Sequence, residues 1–206
     1  MTDERLWTWE DIMHLPEREQ PEILYGRPYW ASSPKFHHAR IVVKIAKALG
    51  GADDDDQPDG WWIGADTGIR LSRHQIVAPD LCGWRRSRVP VMPDTWPCDI
   101  RPDWVCEVLS LSTKARDRGL KAQVYAEAGV PWLWLVDPED RTVEVLQLQN
   151  VPDGSPEVPK WLRIGCYSGS EPVGLAPFLA FPVVVDGLFL PLVVGAEAEP
   201  EAAPEP

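Results

Sequence analysis

The stretch from Asp103 to Val136 constrains the fold more than any other part of the chain. Asp103 to Leu109 is an apolar run of strand length with Glu107 inside it. Thr113 to Ala128 reads as a helix, with Ser112 and Thr113 as cap candidates and Gly129 as its stop. Trp132 to Val136 is a second apolar run. Strand, helix, strand in this order is a crossover unit, so its two strands should be parallel and its helix packed on their sheet. The chain therefore reads as α/β with a mixed sheet.

The flanking segments fit that frame. Thr8 to Leu15 is a short helix, with Thr8 as N-cap, Asp11 three residues on and Pro16 as the stop. Glu22 to Arg27 is a strand that turns at Gly26, and Tyr29 to Ser32 completes a hairpin. Pro34 to Leu49 is a helix in which Ile41, Ile45, Ala48 and Leu49 recur at helical spacing, and Gly50-Gly51 ends it. Ala52 to Gly60 is an acidic loop. Strands are expected at Trp61 to Ala65, Gly68 to Leu71 and Ile76 to Trp84. Arg85 to Pro102 holds four Pro and reads as an extended excursion. Beyond the crossover unit, Pro138 to Arg141 is a turn and Thr142 to Gln149 alternates apolar with polar. Lys160 to Ile164 and Val183 to Val185 are further strands. The final stretch from Ala196 contains only Ala, Glu and Pro. Residues 1–192 are expected to form one domain and 193–206 a disordered acidic tail.

Composition narrows the class. A chain of 206 residues with 44% hydrophobic content can bury a sizeable core. No stretch approaches the roughly 20 apolar residues that span a bilayer. The acidic N-terminus lacks the basic and apolar regions of a signal peptide, so a cytoplasmic location is expected. The 4 cysteines (Cys82, Cys98, Cys106, Cys166) form no C-x-x-C pair, which argues against a zinc site. The net charge of -12 argues against a broad, sequence-independent grip on nucleic acid, because phosphate is held by Lys and Arg. Arg85-Arg86-Ser87-Arg88 and Lys114 to Lys121 nevertheless give local basic ground.

Two carboxylates sit in apolar surroundings, Asp80 in the run from Ile76 to Cys82 and Glu107 in the run from Trp104 to Leu109. A carboxylate inside a buried strand must be paired, protonated or metal-bound. If the two strands are neighbours, both acids can converge on one divalent cation. Mg²⁺ commonly takes one or two carboxylates and fills its octahedron with water and phosphate oxygens. For either acid alone, a strand-end hydrogen bond to a loop is the plainer reading. For two acids in consecutive strands ahead of a basic helix, the cation reading moves in front. Parity puts Asp103, Val105, Glu107 and Leu109 on one face of their strand and Trp104, Cys106 and Val108 on the other. On the helix, Asp117, Lys121 and Tyr125 form one stripe, beside an apolar stripe of Leu120, Val124 and Ala128. The polar stripe borders the sheet, so Lys121 can lean over the strand ends toward Glu107, but by spacing alone a solvated i,i+4 pair with Asp117, worth a few tenths of a kcal/mol, is the plainer reading. His37 and His38 are adjacent, so they do not share a helix face and make a poor metal pair. One of them caps the helix or contacts phosphate.

The run from Pro102 to Thr113, continued by Asp117, Lys121, Tyr125, Gly129-Val130 and Trp134-Leu135-Val136-Asp137-Pro138, resembles the Uma-type "putative restriction endonuclease" family of the PD-(D/E)XK nuclease superfamily. Leu15-Pro16-Glu17, Glu22 before Gly26, His38, Asp66 to Leu71 and Pro79-Asp80-Leu81 extend the likeness over about residues 8 to 150. The resemblance implies a restriction-endonuclease-like core, a mixed central β-sheet flanked by helices. It implies that Asp80 and Glu107, with the Val108 carbonyl, hold Mg²⁺ or Mn²⁺. Many superfamily members carry a Lys two residues after that Glu. Leu109 stands there in this chain, and the resemblance assigns the Lys role to Lys121. Glu22 is implied as an additional acid. The family pattern departs at Leu111, where Pro is usual, and at Tyr25 and Arg27, where Asp and Glu are frequent. The implied activity is metal-dependent hydrolysis of nucleic acid phosphodiesters, with DNA as substrate and a homodimer as the assembly. Two alternatives stand beside it. One is a non-catalytic module that keeps the nuclease fold and binds nucleic acid or protein, which the acidic charge favours. The other is a two-carboxylate hydrolase of another substrate, such as a glycosidase, which leaves the helix Lys unexplained.

Overall fold

The computed structural model describes residues 5–30, 33–54, 60–149 and 159–191. The tail expected at 193–206 and the far end of the first hairpin at 31–32 lie outside them.

Helix α1 (Trp9–Ile12) is shorter than its apolar pattern. Its start is as expected: the Asp11 carboxylate accepts the Thr8 backbone N–H at 2.8 Å. Strands β1 (Glu22–Leu24) and β2 (Arg27–Tyr29) form the first hairpin, with Tyr25 and Gly26 both at positive φ in the turn. Helix α2 (Phe36–Ala48) buries Ile41 and Ile45. Strands β3 (Trp61–Ala65), β4 (Ile69–Ser72), β5 (Gln75–Val77) and β6 (Leu81–Arg85) follow. Here the structure corrects the sequence reading. The apolar run from Ile76 to Trp84 is two strands in two different sheets, not one. Pro79 has no N–H to give a ladder, and Ala78-Pro79-Asp80 carries the chain from one sheet to the other.

Strand β7 (Trp104–Val108) opens the crossover unit and β8 (Trp132–Asp137) closes it. The two pair in parallel, with Glu107 opposite Leu135. Between them the helix is not uniform. Helix α3 (Lys114–Arg116) passes through a π-turn (Asp117–Lys121) into helix α4 (Ala122–Glu127). The Ala122 N–H reaches back five residues to the Asp117 carbonyl. Such a turn takes more residues than the 3.6 of an α-helix. It displaces the expected apolar stripe: Leu120 is 37% exposed while Ala122, Val124, Tyr125 and Ala126 are buried.

Strand β9 (Thr142–Leu148) pairs with β8 and with β10 (Trp161–Tyr167), which runs past its expected end at Ile164. A last hairpin joins β11 (Pro172–Leu175) to β12 (Phe178–Val184). Its first strand escaped the sequence reading, because Pro172 and Gly174 interrupt any strand pattern.

The strands form a six-stranded mixed sheet in the order β10-β9-β8-β7-β6-β3, a four-stranded sheet in the order β2-β1-β5-β4, and the last hairpin. The fold is thus α/β with a large mixed sheet. One face of the six-stranded sheet packs on α2 and the C-terminal hairpin. Trp61, Trp104, Trp134 and Phe178 form the centre of that layer, with Trp104 and Phe178 ring centroids 4.9 Å apart at 87°. The other face packs on α4 through Val105, Leu109, Val124, Tyr125 and Leu135. Among the described residues no helix is long and apolar enough to cross a membrane.

Candidate active site

The site lies where the two sheets meet beneath the π-turn. Parity decides which β7 side chains reach it. Trp104, Cys106 and Val108 enter the α2 layer, and Val105 and Glu107 face α4, as alternation requires. Glu107 is 3% exposed. Its Oε1 accepts from the Tyr125 hydroxyl at 2.5 Å and lies 2.7 Å from Lys121 Nζ. Burial, together with the charges of Asp80, Asp117 and Glu22, pushes the Glu107 carboxyl up to about 8, and Lys121 pulls the other way.

Asp80 follows Pro79 at the junction and is the last residue before β6. It stands at a break in the ladder, not in mid-strand as the apolar run suggested. There its Oδ2 accepts the Val108 N–H at 2.6 Å, and its Oδ1 lies 2.7 Å from His38 Nε2. The hydrogen bond to Asp80 raises the His38 imidazole above its ordinary value, against the effect of burial. Asp80 is thus fixed beside the strand that carries Glu107.

Glu22 opens β1 in the other sheet and is buried. Its Oε1 accepts the Ala78 N–H at 2.9 Å and lies 2.8 Å from Lys121 Nζ. Lys121 therefore joins Glu22 of one sheet to Glu107 of the other. Burial disfavours its charge, but Glu107, Glu22, Asp117 and Asp80 outweigh that and hold the ammonium above its usual value. The solvated pairing of Lys121 with Asp117 is not what forms. Both residues are 3% exposed and Lys121 is bound to the two glutamates.

The π-turn explains why the i,i+4 stripe works as a unit. Residues four apart on an α-helix overshoot a full turn of 3.6 residues, so a stripe of three drifts around the helix. The wider π-turn from Asp117 to Lys121 counteracts that drift. Asp117, Lys121 and Tyr125 are all buried on the same side as a result.

Glu22, Asp80, Glu107 and Lys121, four positions singled out from the sequence, are thus in one cluster. Val108 contributes its N–H to Asp80. Four other participants were underread. Tyr125 and Asp117 lay on the predicted stripe, yet their contacts were not foreseen. His38 was marked at the start of its helix, but its partner Asp80 was not foreseen, since it is 42 residues away. Arg116 gave no local signal. Its guanidinium lies 3.8 Å from Glu22 and 3.6 Å from Asp117. His37 does not join Asp80, consistent with adjacent residues facing different ways on α2.

Several features suit a hard divalent cation. The donors are carboxylate oxygens, negative charge is in excess, and Asp117 Oδ1 is buried without a hydrogen-bond partner. Among the described residues no three His, Cys, Asp or Glu side chains form a ready-made cage.

The model of the Uma2 family, described as "Putative restriction endonuclease", matches residues 9–173. The protein is also similar to a solved structure, that of a "putative nuclease belonging to DUF820" from Anabaena variabilis ATCC 29413. The TM-score is 0.67 with 19% identity, over 89% of this chain and 97% of that one. At that identity the likeness is one of fold. No curated protein matches the chain. The family match runs from α1 into β11 and takes in every residue of the cluster, and on that ground the chain belongs to the Uma2 family.

Proposed function

We propose that this protein is a divalent-cation-dependent hydrolase of nucleic acid phosphodiesters, with DNA as the leading substrate. The observation that carries the reading is Lys121 bridging buried Glu107 and Glu22, with Asp80 anchored on the adjoining Val108 N–H. Buried charges are costly, and a cluster of this kind is weak evidence for stability. Its assembly from four separate segments is better explained by chemistry than by folding.

Asp80 and Glu107, with the Val108 carbonyl, are the residues that would hold Mg²⁺ or Mn²⁺. A bound cation of this class polarises a phosphoryl oxygen and acidifies water. Lys121 favours the ionised form of Glu107 against burial and fixes its position, and so helps to orient the attacking water. Tyr125, four residues on from Lys121 on the same stripe, donates to the same Glu107 oxygen. Glu22 balances Lys121 and can accept a hydrogen bond from water. His38 stands against Asp80 and can pass a proton at Nε2. In the reaction, water oxygen bonds to phosphorus, one P–O ester bond breaks, and the leaving oxygen takes up a proton. A homodimer is the assembly we expect, to be read by sedimentation.

The test is direct. Supercoiled plasmid and single-stranded DNA and RNA are incubated with the protein and Mg²⁺ or Mn²⁺. Cleavage is expected for wild type, with a fall of at least about 100-fold in Asp80→Asn and in Glu107→Gln. A wild-type protein that cleaves none of these, and whose cation affinity is the same in Asp80→Asn, overturns the proposal. Nucleic acid binding without cleavage under those conditions would instead support a non-catalytic module, a reading that the net charge of -12 favours.

A further inference from the structure

Acids outnumber bases in the cluster, and this bears on how a phosphate is received. Glu22, Asp80, Glu107 and Asp117 all act on Lys121. The Lys121 ammonium is spent internally, 2.7 Å from Glu107 and 2.8 Å from Glu22, with its side chain only 4% exposed. Beyond the divalent cation that the acids would hold, a phosphodiester approaching from solvent would meet repulsion unless a cationic side chain stood nearer the surface.

Arg116 occupies such a place. It ends α3 immediately before the π-turn, so it lies one wide turn ahead of Lys121 on the helix. Its side chain is 19% exposed. It approaches Glu22 Oε2 at 3.8 Å and Asp117 Oδ1 at 3.6 Å, both beyond hydrogen-bond length. Arg116 Nε is buried and has no hydrogen-bond partner, and neither has Asp117 Oδ1. The Tyr29 ring supports the guanidinium with its centroid 5.8 Å away. The acids therefore hold this guanidinium by charge, without using its N–H groups. Arg86 and Arg88, by contrast, donate hydrogen bonds to the Trp61 carbonyl and to Asp103. A planar guanidinium with unspent donors matches two phosphate oxygens at once, which an ammonium does not.

We propose that Arg116 is the residue that binds a phosphate group of the nucleic acid strand at this site, while Lys121 serves the carboxylates and leaves the phosphate to Arg116. The assignment rests on the nuclease reading of the same cluster. It divides the labour of the two cations by depth, with the buried one bridging Glu107 and Glu22 and the half-buried one receiving the substrate.

The experiment measures binding of a labelled DNA oligonucleotide with cleavage-resistant phosphorothioate linkages, and of its RNA counterpart, across a salt titration in Mg²⁺. Wild type is compared with Arg116→Met and Arg116→Lys. Arg116→Met is expected to bind about 10-fold more weakly, with the slope of log affinity against log salt reduced by about one. Arg116→Lys keeps the charge, and is expected to keep the salt slope while losing part of the affinity. Thermal melting separates a folding defect from a binding defect. Should Arg116→Met melt early, the Arg116→Lys comparison carries the test. If wild type binds and the variants match it in affinity and slope, the role of Arg116 is overturned and the nuclease reading stands. If wild type binds neither oligonucleotide, both fall.

Discussion

Alternate residues of β7 enter two very different interiors. Trp104, Cys106 and Val108 enter an aromatic layer in which Trp61, Trp104, Trp134 and Phe178 pack edge to face or tilted. Val105 and Glu107 face α4, where apolar side chains surround Glu22, Glu107, Asp117 and Lys121. The first interior gains free energy from each ring it removes from water. The second must recover the desolvation of its charges through their mutual pairing. One strand therefore serves stability with one set of residues and a polar site with the other. The apolar face supplies the margin that lets the charged face persist.

Three measurements can break or sharpen that contrast. The largest effect is expected at Lys121. Lys121→Met leaves Glu107 and Glu22 buried without their cation, and should cost about 3–5 kcal/mol in denaturant unfolding. Adding Glu107→Gln should recover much of that loss. A double variant as unstable as the single one would show that the two charges do not depend on each other.

Asp137 gives an intermediate case, a buried acid at the end of β8 outside the cluster. It lies 2.8 Å from Lys114 Nζ and accepts the Glu139 N–H at 3.1 Å. Burial opposes its charge, but Lys114 and the backbone N–H groups of Asp140 and Glu139 prevail and lower its pKa. Its folded value is therefore below its unfolded one. The stability it contributes is complete above the ordinary carboxylate range and is lost as pH falls through the folded value. Asp137→Asn should cost about 1.5–3 kcal/mol at pH 7 and flatten the acid limb of the stability profile. An unchanged acid limb would mean that Asp137 is not the group responsible.

The smallest effect is expected on the apolar side. Ile45→Val removes one methylene from the fully buried α2 contact and should cost about 0.5–1.5 kcal/mol. Cation affinity and cleavage should stay as in wild type. A change in cation affinity would show that the two faces of the sheet are coupled and not independent.

The legibility of the fold followed the range of the interactions. The β7–helix–β8 crossover was readable because its strands, its helix and its stop at Gly129 leave periodic or conformational marks within a few residues. Glu107 was readable because one acid in a run of buried residues is conspicuous. The two-strand nature of the Ile76 to Trp84 run was less so, since the apolar pattern continues across Pro79 while the ladder does not. The π-turn had no mark in the helical period, and Leu120 was placed in the core for that reason.

Composition and periodicity by themselves determined the α/β class, the parallel crossover and the face of β7 on which Glu107 stands, because each depends on residues close in sequence. They also brought Asp117, Lys121 and Tyr125 onto one stripe. The family resemblance, carried by motif residues, marked Lys121 as the partner of the acids. Only the tertiary structure decided that Lys121 bridges Glu22 and Glu107, that His38 meets Asp80, and that Arg116 is held at the edge with its donors unspent. Those contacts depend on strand order and on the packing of one sheet against another. Local pattern does not encode either, because a strand presents the same alternation whichever neighbour it pairs with.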